Sequence, residues 1–201
     1  MSYSILIVGL TGMPGAGKTT LANSLADVGL PVIVMGDAIR ELAKKANLEL
    51  NDFNLGSIMI NLRKERGSGA IAHLILDNIK KIATCKSPPK ALVVDGIRNI
   101  EEVKVLESVG RVKLLAVHGS TSTRFNHIKL RGRIDAPVTL TDFSERDKRE
   151  LLVGLSHAIA LADETISNNC ISIDQFCRQG LQIIERWIME TDEYNKKVSG
   201  E

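Results

Sequence analysis

The run Gly12-Met13-Pro14-Gly15-Ala16-Gly17-Lys18-Thr19 constrains this chain more than any other stretch. It fits the spacing G-x-x-x-x-G-K-[ST], in which a glycine-rich turn wraps a phosphate. Residues 4–10, just before it, form an apolar run of strand length, and residues 20–26, just after it, are good helix formers. The expected unit is therefore strand, loop, helix. Glycine at 12, 15 and 17 lets the backbone take positive φ and approach an anion closely. Successive N–H groups then form a nest at a helix N-terminus, whose dipole favours negative charge. Lys18 supplies a point charge for β- and γ-phosphates, and the Thr19 hydroxyl is placed to ligate Mg²⁺. Residues 12–19, with Thr20 next on the helix, are the candidate nucleotide-binding set.

The rest of the chain fits one domain built around that unit. Its 201 residues, 44% hydrophobic and 25% charged, suffice for a single α/β core. Aromatics at 3% argue against a single-strand nucleic-acid binder that works by base stacking. A net charge of +2 without a long basic run gives no indication of nucleic-acid binding. Cys85, Cys170 and Cys177 have neither C-x-x-C nor zinc-site spacing, and read as reduced thiols of a cytosolic protein. The apolar start is too short to span a membrane and has no basic leader region, so a cytoplasmic location without a membrane partner is expected.

Taken in order, residues 31–35 read as a buried strand ending at Gly36-Asp37. Asp37 is the expected N-cap of a helix that carries Ile39, Leu42, Ala43 and Ala46 on one face. Two more helices fill residues 51–83, with a break at Gly67-Ser68-Gly69. Residues 91–96 form a strand ending in Asp95-Gly96. An apolar strand that delivers a carboxylate is the Walker B pattern, which makes Asp95 a water-mediated Mg²⁺ ligand. A helix near 100–109 and a strand at 112–117 follow, then a basic helix from 120 to 133. Residues 134–143 read as a mobile loop, with Asp135 and Asp142 as loop caps. A long helix is expected over 144–161 and a strand over 164–167. Ser172 caps a last helix with Phe176, Leu181, Ile184 and Ile188 on its apolar face, and the tail from 191 is expected to fray.

Strands alternating with helices predict a parallel sheet covered on both faces, with ligands at the C-terminal strand ends. The glycine-rich loop, Gly36-Asp37, Asp95-Gly96 and Gly119-Ser120 all fall at such ends, which predicts one shared site. Cations that can surround a transferring phosphoryl group there are Arg40, Arg98, Arg124, Arg131, Arg133, Arg146 and Arg149. The histidines have no triad or metal-ligand spacing and read as structural. Trp187 reads as a core or partner-facing residue.

With these motifs in hand, the chain resembles the adenylate-kinase-like nucleotide kinases. The resemblance rests on the phosphate loop, on Met35-Gly36-Asp37-Ala38-Ile39-Arg40 and on Val93-Val94-Asp95-Gly96-Ile97-Arg98. It implies that Asp37, Arg40 and Arg98 bind the acceptor, the arginines at its phosphate. The stretch at 162–169 is similar to one that borders the adenine pocket of dephospho-coenzyme A kinases, which implies an ATP-side role for Asn168. Asp95-Gly96-Ile97-Arg98, Lys129-Leu130-Arg131-Gly132-Arg133, Glu145-Arg146-Asp147 and residues 159–163 together resemble the archaeal adenylate-kinase-related UPF0200 proteins. That likeness covers nearly the whole chain. It implies a three-layer α/β/α P-loop kinase fold with sheet order 2-3-1-4-5, ATP and Mg²⁺. Two departures stand out: Asp95-Gly96-Ile97-Arg98 lacks the proline of the adenylate kinase motif, and its arginine comes one position earlier.

The expected organisation is one domain over 1–201. Its core is 1–36, 88–120 and 145–190, with a helical acceptor-side insertion at 37–87 and a short lid at 124–145. The expected chemistry is transfer of the γ-phosphoryl group of Mg-ATP to a small nucleotide-like phosphate acceptor, a nucleoside monophosphate or dephospho-coenzyme A. Lys18, Asp95, Arg131 and Arg146 are the candidate catalytic residues, and Arg124 joins the loop and Asn168 on ATP. The alternative is an ATPase of the same fold acting on a macromolecular partner such as RNA or a ribosomal component. The surface around Trp187, or the basic helix, would then be the docking face.

Overall fold

The computed structural model describes residues 5–132 and 139–199. In chain order the elements are β1 (Leu6–Thr11), α1 (Lys18–Asp27), β2 (Val32–Val34), α2 (Met35–Lys45), α3 (Asp52–Arg66) and α4 (Ala70–Ala83). They continue with β3 (Ala91–Ile97), α5 (Ile100–Glu107), β4 (Arg111–His118), α6 (Thr121–Arg131) and α7 (Leu140–Leu152). The chain closes with α8 (Leu155–Ala160), β5 (Glu164–Ser167) and α9 (Ile173–Ser199).

The five strands form one parallel sheet in the order β2-β3-β1-β4-β5. β1 lies at its centre: it is buried at every position and apolar up to Thr11, as a parallel strand covered on both faces needs. Side chains of a strand alternate between faces. Accordingly Ile5, Ile7, Leu92, Val94 and Leu114 enter one core with Met35, Ile39, Ile71, Ile79 and Leu106 from the helices. Leu6, Val8, Leu10, Val93 and Leu115 enter the opposite core with Leu21, Leu25, Phe176, Ile184 and Trp187. The expected three layers and strand order are therefore present. Among the described residues, no helix is long and apolar enough to cross a membrane.

Several local expectations change. Helix α2 begins at Met35, directly on the end of β2, with Val34 in the N-cap position. Asp37 is therefore inside the first turn, not at its cap, where a carboxylate still favours the helix dipole. The helix expected over 144–161 is two helices: Gly154, at φ 100°, separates α7 from α8. The loop expected to reach residue 143 ends earlier, because Thr139 and Asp142 form a reciprocal capping box that starts α7. Phe143 is buried on that helix. Residues 133–138, and with them Arg133 and Asp135, lie outside the described residues. The tail does not fray at 191: α9 continues to Ser199, with the Thr191 hydroxyl bonded to the Trp187 carbonyl. Trp187 is 2% exposed and its Nε1 donates to Glu164, so it offers no docking face.

Candidate active site

The glycine-rich turn joins β1 to α1 at the C-terminal edge of the sheet. Gly12, Gly15 and Gly17 take φ of 137°, 80° and 112°. At Gly12 the reason is visible on both sides: the backbone is in a region that L side chains avoid, and a Cβ would overlap the Val117 carbonyl of β4. Packing holds the turn from outside. His127 Nδ1 lies 3.0 Å from the Gly15 carbonyl, and Asn168 Nδ2 donates to the Ala16 carbonyl at 3.0 Å. Arg124, 5% exposed, donates to the Pro14 carbonyl at 3.0 Å and grips Asp147 with both terminal nitrogens at 2.9 and 2.6 Å. A bidentate arginine–carboxylate fork of this kind fixes orientation as well as charge. Arg124 is thus committed to the protein side of the turn, bracing it against α7.

Lys18 Nζ donates to the carbonyls of Gly12 and Met13 at 2.6 and 3.2 Å. Burial lowers its pKa from 10.5 to about 8; Asp95 opposes that shift, while Arg98 adds to it. Beside it, Thr19 Oγ1 donates to Asp95 Oδ2 at 3.0 Å. Asp95 is 3% exposed, and its other oxygen, Oδ1, is buried without a hydrogen-bond partner. A buried, unpaired carboxylate oxygen is costly unless something occupies it. Next to a threonine hydroxyl, that oxygen suits a hydrated Mg²⁺, a hard cation that keeps its waters and prefers oxygen ligands. The donor set therefore fits the expected metal.

Two pockets meet at this point. The first is lined by Val34, Gly36, Arg40, Asp95, Ile97, Arg98, Arg146 and Glu150. The second is lined by Thr20, Asn23, Thr123, His127, Asn168, Ile171 and Phe176. Gly15, Lys18, Thr19, Ile128 and Arg131 line both. The two pockets thus bring together Lys18, Thr19, Asp95, Arg98, Arg40, Arg131 and Arg146, with Asn168 on the far side. They do not bring in Asp37, whose side chain is 63% exposed and paired with Arg40 at 2.6 Å.

Several site residues were not foreseen. Glu150, 6% exposed, accepts from Arg98 Nε at 2.7 Å. Burial would raise its carboxyl pKa, but Arg98, Arg146 and Lys18 outweigh that and hold it below the usual value. Arg98 is desolvated too, yet Glu150, Glu102 and Asp95 hold it above the ordinary arginine value. Glu102, fully buried, accepts the Arg98 backbone N–H at 2.7 Å and Arg63 Nη2 at 2.6 Å, so it fixes where Arg98 leaves the strand. One signal for Glu150 was available: it lies one helical turn after Arg146, on the same face. His127 gave none, since its partner is a backbone carbonyl.

The family comparisons agree with this fold. The AAA domain family matches residues 11–111. A UPF0200 protein of Hyperthermus butylicus is 38% identical over 181 residues, covering 90% of this chain and 94% of the relative. One of Methanocaldococcus jannaschii is 38% identical over 189 residues, covering 91% of this chain and 94% of that relative. Among solved structures, shikimate kinase from Acinetobacter baumannii in complex with shikimate aligns with a TM-score of 0.54 at 15% identity. That alignment covers 92% of this chain and 95% of the kinase, a likeness of fold. With its phosphate loop, its 2-3-1-4-5 sheet and relatives matched over nine-tenths of their length, this chain belongs to the UPF0200 family and has the P-loop kinase fold.

Proposed function

We propose that the protein is a Mg-ATP-dependent phosphotransferase acting on a small, nucleotide-like phosphate acceptor. The observation that carries this reading is the pair of pockets that share Lys18 and Thr19. A donor and an acceptor lying in separate clefts that meet at one lysine is the arrangement in-line transfer requires. The nucleotide lies along the turn with its base toward Asn168 and Phe176. Lys18 exchanges its carbonyl partners for phosphate oxygens. Thr19 and, through water, Asp95 would hold the Mg²⁺, which would supply charge neutralisation for the phosphates. Arg40 and Arg98 bind the acceptor phosphate, with Glu150 keeping Arg98 turned into the cleft. Arg131 and Arg146 supply charge around the transferring group. Arg124 acts indirectly, by bracing the turn.

The test is ADP formation from Mg-ATP with AMP, CMP, UMP, GMP, dephospho-coenzyme A or no acceptor, with Lys18→Ala as control. Stimulation by one compound, lost in the variant, is the expected result and names the acceptor. Slow turnover that no acceptor changes but Lys18→Ala abolishes would overturn the proposal in favour of a partner-driven ATPase.

A further inference from the structure

Arg146 lines the acceptor side of the cleft, and its charge reaches Lys18 and Glu150. Its neighbours in the cleft are of both signs: Lys18 and Arg98, and the carboxylates of Asp95 and Glu150. A further counter-charge comes from a different part of the chain. Asp52, the first residue of α3, has Oδ1 3.5 Å from Arg146 Nε, and its Oδ2 accepts from Arg149 Nη2. One carboxylate thus ties two arginines of α7 to the helix that follows α2.

The place of Asp52 is built with care. Asn51 caps α3 by accepting the Asn54 N–H at 2.9 Å, and Asn54 Nδ2 returns to the Glu49 carbonyl at 3.0 Å. These bonds fix the first turn, and its dipole favours a carboxylate there. One turn later the Arg149 guanidinium packs beside Gly56, where a Cβ would be in ordinary contact with Nε at 3.4 Å. We propose that Asp52 is a positioning residue for phosphoryl transfer: it holds Arg146 by Nε beside the cleft, so that the acceptor-side helices and the arginine that meets the transferring group are set as one unit. This role rests on the phosphotransfer reading above. Charge placed in advance, at the point where charge spreads in the transition state, is worth more than charge that must first be ordered.

The experiment separates nucleotide binding from recognition of a transition-state mimic, using Mg-ADP alone and Mg-ADP with aluminium fluoride. Asp52→Asn keeps size and helix position but loses the charge. It is expected to bind Mg-ADP within about twofold of wild type and to trap the fluoride complex about tenfold more weakly, a smaller loss than the roughly hundredfold that a 1 Å misplacement can cost. Asp52→Glu is expected to recover part of the loss. Equal trapping by wild type and Asp52→Asn would overturn the role of Asp52 alone. Loss of Mg-ADP affinity in the same proportion as trapping would assign Asp52 to the fold, and overturn it as well. A wild-type protein that binds Mg-ADP but traps no fluoride would overturn the phosphotransfer reading and this role with it.

Discussion

Nucleotide affinity should fall with pH across a range where ordinary lysines do not titrate. The perturbation is deprotonation of Lys18, whose pKa burial lowers to about 8 in the empty site. At pH 7 about nine in ten copies then carry the charge, and at pH 9 about one in ten. Phosphates replacing the Gly12 and Met13 carbonyls would stabilise the ammonium and return it toward 10.5. Linkage then makes the apparent Kd for Mg-ATP about tenfold weaker at pH 9 than at pH 7, or about 1.4 kcal/mol. The same equilibrium takes up about half a proton per nucleotide at pH 8 and nearly one at pH 9. Titration calorimetry in two buffers of different ionisation enthalpy measures both quantities. The folding linkage has the opposite sense. Between about 8 and 10.5 the unfolded chain binds more protons than the folded one, so the empty protein gains stability as pH rises through that window. A Kd that is flat from pH 7 to 9, with no proton uptake, would refute the argument, because Lys18 would then be fully charged in the empty site.

Two further outcomes follow from buried carboxylates. Glu102→Ala strands Arg63, which is 7% exposed and already has Nε and Nη1 without partners. Urea denaturation should show a loss of about 3–5 kcal/mol, the usual cost of breaking a buried pair from one side; a loss below about 1 kcal/mol would mean that water reaches Arg63. Asp95→Asn removes the charge but keeps the shape. ADP should bind the variant equally well with and without Mg²⁺, whereas wild type should bind more tightly with it; a retained Mg²⁺ effect in the variant would move the metal away from Asp95.

The fold was readable because its determinants are local. Gly12, Gly15, Gly17 and Lys18 stand at fixed spacing behind an apolar strand, and residues 91–94 repeat the continuous apolar pattern that a covered parallel strand demands. Arg98 was reachable for the same reason, directly after a strand end, and Arg146 as part of an expected helix start, although α7 begins earlier, at Leu140. Glu150 (hinted at only by its helical spacing from Arg146), Glu102 and Asp52 were harder to reach. Their roles come from partners 52, 39 and 97 residues away, and a carboxylate on a charged helix looks the same in sequence whether it faces solvent or a buried arginine. Asp37 shows the converse. Its place after a strand suggested a cap, yet α2 starts two residues before it, so its carboxylate sits in the first turn and pairs with Arg40. Trp187 lies in the core, one of the two places expected for it. Thr191 misled through composition: polar neighbours in sequence gave the tail a solvent-facing look, while the helical period turns one face of it back, with Thr191 buried and Tyr194 against Arg111 of β4.

The pairing of β1 with β3 contains one irregular step. Leu10 pairs with Asp95 but Thr11 pairs with Ile97, so Gly96 has no opposite number, and it takes φ 103°. Thr11 Oγ1 bonds to the Ile97 carbonyl and closes the ladder again beyond it. That unmatched residue works as a spacer between two chemistries carried on a single strand. On the proposed reading, the backbone upstream of it is indexed to the metal side through Asp95, and downstream to the acceptor side through Arg98. Deleting Gly96 would mend the ladder while drawing Arg98 back by one residue, about 3.3 Å, and turning it to the other face of the sheet. The offset between Asp95 and Arg98 is thus written in backbone length, and side-chain substitution cannot retune it.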